Sequence, residues 1–356
     1  PLYVYLSVPI VWVLGLSVFS TRLLSAIAGV VAVGGVYYLA GVLPAILLAT
    51  SAWHIFFSRG TFEGNLALTV FLLGVCFWVK YLKDRKLKYL SISLLTTVIS
   101  MYGYQSERLV VPLWWMCNLA IYKKDLPRKF VEWFKVLLFP VLLGLPLLFI
   151  WFSPAGLHRA QGVSLFSANA NTSKSITNLV WKISAMYSHY FSPKNLFWEG
   201  DYDKQRSLLG LSVFYWWWIV GWVNGIILVF KNKVKDWWLV SWWILSPIPA
   251  ALTPDTFHTY RSLMFYIPNT IIIGLGFRDL IRSKISKILF LFASVFSLVQ
   301  LFSTYVYLTP MVRAKDWDQP FKETAAKVNS LLKTEKKIVW DRRISEPYIQ
   351  YLFWSG

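Results

Sequence analysis

Three short polar clusters interrupt an otherwise apolar chain, and each holds residue types that can do chemistry. In SRGTFEGNL, Arg59 and Glu63 stand four apart, so on one helix a guanidinium and a carboxylate would share a face and could pair. SMYGYQSERLVVP holds Tyr104, Gln105, Glu107 and Arg108, and PAALTPDTFHTYRSLMFYIP holds Asp255, His258 and Arg261. A positioned carboxylate can take a proton as a general base. A guanidinium stays charged, and its planar fork matches the oxygens of a phosphate. Each cluster also has a plainer reading. Arg59 and Glu63 could snorkel at a membrane interface, the Tyr104 cluster could be part of an aromatic belt with an ion pair, and the Asp255 cluster could be a polar turn. His54, set back from Ser58 and Arg59, reads as structural. Three clusters on one side of a helical bundle are better evidence for a shared site than any one alone.

The elements that would position these clusters are apolar runs. The chain has 356 residues, 56% hydrophobic and 18% aromatic, with a mean hydropathy of +0.51. Runs such as FVEWFKVLLFPVLLGLPLLFIWF reach the roughly 20 residues a helix needs to cross a bilayer. They are continuously apolar, whereas the strands of a membrane barrel alternate. The expected fold class is therefore an all-α polytopic membrane protein with about 10–11 membrane helices. The expected spans are 2–18, 22–40, 42–57, 62–79, 89–102, 107–122, 130–152, 208–230, 237–253, 262–277 and 288–309.

The net charge of +19 raises nucleic-acid binding as one explanation. Its distribution favours another. The loops 80–88, 123–135, 231–236 and 278–287 together hold 17 basic and 5 acidic residues, which predicts a cytoplasmic position. The alternate connections SRGTFE, YGYQSER, 153–206 and TPDTFHTYR hold 9 basic and 6 acidic residues and should face outward. The basic excess is mostly a topology signal, and nucleic acid drops out as a partner.

Spans 2–18, 22–40 and 42–57 cannot all cross if residue 1 and SRGTFE both lie outside, so one is expected to be a half-span or to lie on the surface. Gly41 and Pro44 are the natural break points. Within 153–206, ITNLVWKISAMYSHYF (176–191) has helical apolar spacing and is expected to lie along the membrane. NTS at 171–173 fits a glycosylation sequon, and GDYD at 200–203 is an acidic pair with no assigned role. Cys76 and Cys117 lie in apolar runs and read as small hydrophobes. Residues 1–309 read as the membrane domain. Residues 310–356 turn polar and read as helix, then the strand IVWD, then helix, the start of a small outward α/β domain. GxxxxGK[ST], HExxH, CxxC and GxSxG are absent, which argues against a nucleotide-driven machine or a zinc protease. No metal-ligating motif is evident, and a divalent cation stays open as a cofactor.

SRGTFEGNLALTVF resembles an element of the protein O-mannosyltransferase and aminoarabinose-transferase superfamily, the family 39-like C-type glycosyltransferases. That element is a serine-arginine followed by an acid near the start of the next span. PLYVYLSVPIVWVLGLSVFSTRLLSAIAGVVAV looks like that family's second span and the start of its third. HYFSPKNLFWEGD and LTPDTFHTYRSLMFYIP look like elements of its bacterial members. The resemblance runs over nearly the whole chain and rests on the order of these segments.

The resemblance implies a multi-pass enzyme, expected in a bacterial plasma membrane, with its site facing outward. It would move a sugar from a polyprenyl-phosphate carrier to a hydroxyl of a lipid or protein acceptor among membrane lipids. It implies that Pro1 lies just after a first outward loop that carries the principal catalytic acid, so both ends read as cut. Glu63 then matches the second acid, with Arg59 orienting it or touching phosphate. Arg108, His258 and Arg261 are the phosphate candidates, with Tyr104 and Gln105 near the sugar or acceptor and Asp255 beside them. The competing class is a flippase or transporter of the same carriers. Such proteins often have repeats and broken helices near the midplane, and no internal repeat is evident here.

Overall fold

The computed structural model describes residues 2–154, 156, 165, 176–231, 236–317, 320–335, 337–339 and 347–355. Among them the regular structure is helical, apart from one isolated bridge between Leu208 and Leu211. The α-helices are α1 (Leu2–Leu14), α2 (Val18–Ala40), α3 (Val42–Thr50), α4 (Ala52–Arg59), α5 (Glu63–Asp84), α6 (Leu87–Ser100), α7 (Gln105–Ile121), α8 (Phe130–Phe152), α9 (Ile176–Tyr190), α10 (Ile219–Phe230), α11 (Trp237–Leu245), α12 (Ile248–Ala251), α13 (Leu263–Leu280), α14 (Lys284–Phe302), α15 (Thr309–Arg313), α16 (Pro320–Leu331) and α17 (Pro347–Ser355).

Four helices are long and apolar enough to cross a membrane: α2, α5, α8 and the continuous run Lys284–Arg313. That run joins α14 to α15 through a π-helical stretch, Ser303–Leu308. The pair α3 and α4 makes a fifth if it counts as one broken span. The chain is an all-α membrane protein by this measure, with fewer full-length spans than the apolar runs suggest. The expected span 237–253 is split by Pro247, which cannot donate to a helix ladder, into α11 and the four-residue α12. The expected span 208–230 becomes helical only at Trp216, after a turn at Gly210 with φ +70°.

The N-terminal third breaks where expected, and once more. Gly41 separates α2 from α3 at φ +89°, a conformation that favours glycine. Pro44 sits in the first turn of α3, where a missing N–H costs little. The second break is at Ser51, where α3 and α4 bend by 61°. His54 Nε2 meets Gly29 O at 3.1 Å, holding α4 on α2. A Cβ on Gly29 would come within 2.3 Å of Ser58 Oγ, so the two helices touch through a missing side chain.

The core is rich in tryptophan. Trp78, Trp114, Trp218 and Trp242 are fully buried; the indole N–H groups of the first two are hydrogen-bonded, and those of Trp218 and Trp242 have no partner among the described residues. Asn118 accepts from Trp78 Nε1 at 3.1 Å and donates to Ser241 Oγ at 3.1 Å. Asn269 Oδ1 accepts from Trp222 and Trp243 at 2.8 and 3.1 Å. Such bonds join apolar helices where water is scarce. Both cysteines are free.

The connections sort into two groups. Arg85 pairs with Asp125 at 2.7 Å, joining the basic loops 80–88 and 123–135. The connections 58–63, 102–108, 200–206 and 253–261 meet one another through the contacts described below. α9 confirms the helix expected at 176–191, while the NTS sequon and residues 232–235 of a basic loop lie outside the described residues.

The α/β expectation for the C-terminal segment is not supported. The segment carries α16 and α17, and Ile338 and Val339 lie outside any strand, while Trp340 and Asp341 lie outside the described residues. A strand needs a neighbour for its backbone donors and acceptors, and the described residues supply none.

Candidate functional site

The site is built on two connections that lock together, the loop 200–206 and the loop 254–262. Asp201 is the hub. Its side chain is fully buried and accepts from Arg206 Nε at 3.0 Å, Arg206 Nη2 at 3.3 Å, Thr259 N–H at 2.8 Å and Thr259 Oγ1 at 2.8 Å. Arg206 also reaches Asp203 at 3.3 Å, and its Nη1 lies 2.7 Å from His258 Nε2. Asp255 pairs with Arg261 at 2.9 Å and accepts from Tyr202 Oη at 3.1 Å. The sequence-predicted group Asp255, His258 and Arg261 is thus real as a cluster, and each member is already engaged.

His258 has N–H donors on both sides. The Arg261 backbone N–H lies 3.2 Å from Nδ1, opposite the Arg206 contact at Nε2. A protonated ring would turn an N–H toward each donor. Burial first, then Arg206 and Arg261, push its pKa down to about 4. The ring is therefore neutral at pH 7 and acts as an acceptor.

Glu63 opens α5, where a carboxylate complements the positive end of the helix. The next residue, Gly64, donates its N–H to Tyr260 Oη at 3.0 Å. Tyr260 packs on Tyr104 with ring centres 4.6 Å apart. Burial holds both phenols well above their usual range, so both keep their protons. Ser106 Oγ donates to Arg261 O at 2.8 Å, fastening the start of α7 to the same loop. Glu107 is 1% exposed, and its Oε2 has no hydrogen-bond partner. Two acidic side chains therefore lie near one pair of phenols, at one end of the bundle.

Other predicted residues are placed differently. Arg59 ends α4, and Gly60 to Phe62 intervene before α5, so Arg59 and Glu63 do not share a helix face. No ion pair joins them among the described residues, and the Arg59 guanidinium lies over the Tyr305 ring, 4.5 Å from its centre. Arg108 donates from Nε to Met101 O at 3.1 Å. Gln105 is exposed at the start of α7.

Sequence reasoning assigned no role to Asp201, Arg206, Tyr260 or Glu107. The signal for the first two was present in GDYDKQR, an acid and an arginine five apart in a loop. Among the described residues no group of three or more His, Cys, Asp or Glu side chains is gathered as metal ligands would be. No family model matches the chain, and no curated protein matches it.

Proposed function

We propose that the chain is a multi-pass membrane glycosyltransferase of the C type, transferring a sugar from a polyprenyl-phosphate carrier to an acceptor hydroxyl on the outer face. The observation that carries this reading is the convergence of Glu63, Glu107, Tyr104 and Tyr260, buttressed by the Asp201–Arg206–Arg261 loops. The four connections that meet there are the ones whose low basic excess assigns them to the outer side. In the reaction the acceptor oxygen bonds to the anomeric carbon as that carbon's bond to the carrier phosphate breaks. The acceptor proton passes to a carboxylate, and the phosphate leaves with the electron pair. Glu63 positions the acceptor or assists the base, and the protonated Tyr104 and Tyr260 donate to sugar or acceptor oxygens.

The experiment is incubation of the purified protein in vesicles with a radiolabelled polyprenyl-phosphate sugar. Release of free polyprenyl phosphate, with label moving to an acceptor, is expected, and Glu63→Gln should cut turnover while leaving the fold intact. The 61° break between α3 and α4 favours one second reading, a flippase for the same carriers. Movement of labelled carrier across the vesicle without release would select it.

A further inference from the structure

A groove of about 260 Å³ lies beside the site, between the start of α2, the end of α4 and the stretch leading into α15. Arg22, Arg59 and Arg313 line it together with Phe62, Tyr305 and Trp317. Among the described residues none of the three guanidiniums pairs with a carboxylate. Asp316, the nearest acid in sequence, instead faces Lys204 at 3.9 Å. Two of the three are held in place by other means. Arg59 rests on Tyr305, and Arg313 donates through Nη1 to Ser207 O at 2.6 Å.

Three like charges around one groove repel one another, and an anion would relieve that. A phosphate monoester carries about −1.5 to −2 charge and several acceptor oxygens, a closer match to three guanidiniums than a single carboxylate. The aromatic walls and the exposed Phe19, Phe302 and Val306 on the flanking helices give an apolar path away from the charges. The groove shares Phe56 and Leu208 with a small void lined by Asp201 and Arg206. Gly60 and Phe62 lead from it to Glu63.

We propose that this groove binds the terminal phosphate of a lipid phosphomonoester, with Arg22, Arg59 and Arg313 as its anion ligands. The lipid chain runs along the surface of α2 and α14. The proposal deepens the transferase reading, on which it rests, by placing the phosphate of the released, sugar-free carrier here and leaving the internally paired Arg206 and Arg261 as scaffold.

The test is binding of radiolabelled polyprenyl monophosphate to the purified protein in phosphatidylcholine nanodiscs. Parallel arms use phosphatidylglycerol and inorganic phosphate as competitors. Saturable binding is expected, weakened about tenfold or more in Arg22→Gln/Arg59→Gln, unchanged in Lys124→Gln and partly restored in Arg22→Lys/Arg59→Lys. An unchanged melting temperature for the double variant keeps the comparison valid, and the single Arg22→Gln variant replaces it if it unfolds. Wild-type affinity in the folded variant overturns the proposal. Equal competition by phosphatidylglycerol overturns the monoester, and equal competition by inorganic phosphate overturns the lipid. The assay contains no sugar, so binding without transfer would remove the transferase and leave the groove. Transfer whose inhibition by free polyprenyl phosphate is unaltered in the variant would do the reverse.

Discussion

Asp201 and Arg206 close on each other through two contacts, at 3.0 and 3.3 Å, while the same carboxylate holds the backbone and hydroxyl of Thr259. One buried side chain thereby ties the loop before α10 to the loop before α13, 58 residues away. With the Asp203 N–H at 3.0 Å, all five of its contacts come from donors, so its charge is compensated within the fold.

Asp201→Asn is expected to destabilise the protein strongly, because it removes the buried carboxylate and leaves Arg206 only the partly exposed Asp203 at 3.3 Å. Removing one partner of a buried pair costs about 3–5 kcal/mol. Chemical unfolding in detergent measures this, and a variant within about 1 kcal/mol of wild type would show that the pair is only a surface tie.

His258 predicts a pH dependence of stability with a definite sign. Its pKa falls from about 6.5 in an unfolded chain to about 4 in the fold, through burial, Arg206 and Arg261, against the opposing pull of Asp201 and Asp255. The folded state thus binds fewer protons than the unfolded state between these values. Its contribution is complete above pH 6.5 and is lost as the pH falls toward about 4, on the order of 2–3 kcal/mol in all. Melting temperatures from pH 7.5 down to pH 4.5 should fall, and His258→Gln should flatten that slope. An unaltered slope in the variant would assign the pH dependence elsewhere.

Long apolar runs made the helices legible, and the connections 58–63, 102–108, 200–206 and 253–261, which loop charge grouped together, meet in space. Gly41 announced its own break. The break at Ser51 was hidden because AILLATSAWHIFF is apolar on both sides of it. The strand over IVWD was a local preference with no neighbour to pair with. Arg59 and Glu63 had the spacing of a helical pair, yet Gly60 ended the helix between them. Partners distant in sequence were the least legible. Nothing in GDYDKQR points to Thr259, and nothing in HTYR points to Gly64.

The packing of α10 on α13 supplies a prediction of a different kind. Gly221 and Gly225 in GWVNG face Gly276, and a Cβ on Gly276 would lie 1.9 Å from Gly221 O. A Cβ on Gly225 would lie 2.2 Å from Ile272 O. Backbone cannot yield as a flexible side chain can, so Gly276→Ala must push the helices apart. A loss of at least about 1–3 kcal/mol is expected, seen as a lower melting temperature in detergent. Gly34→Ala in α2 is the control, because nothing lies within 4 Å of its Cβ position. Equal effects from the two would show that helix propensity, not contact, sets the outcome.

Tyr260→Phe separates positioning from stability at the site. The Tyr260 hydroxyl accepts from Gly64 N–H at 3.0 Å, one residue after Glu63, and its ring packs against Tyr104. Phenylalanine keeps the ring and removes the acceptor from the buried Gly64 N–H at the start of α5. Leaving this buried N–H without its acceptor costs about 1–3 kcal/mol, so the folded protein should survive. The start of α5 loses the anchor that sets the direction of the Glu63 carboxylate, and a misplacement of about 1 Å can cost on the order of a hundredfold in rate. Turnover of the polyprenyl-phosphate sugar should therefore drop far more than the melting temperature suggests, with little change in carrier binding. If turnover instead tracks the small stability loss, Tyr260 only packs, and Glu63 is held by something else.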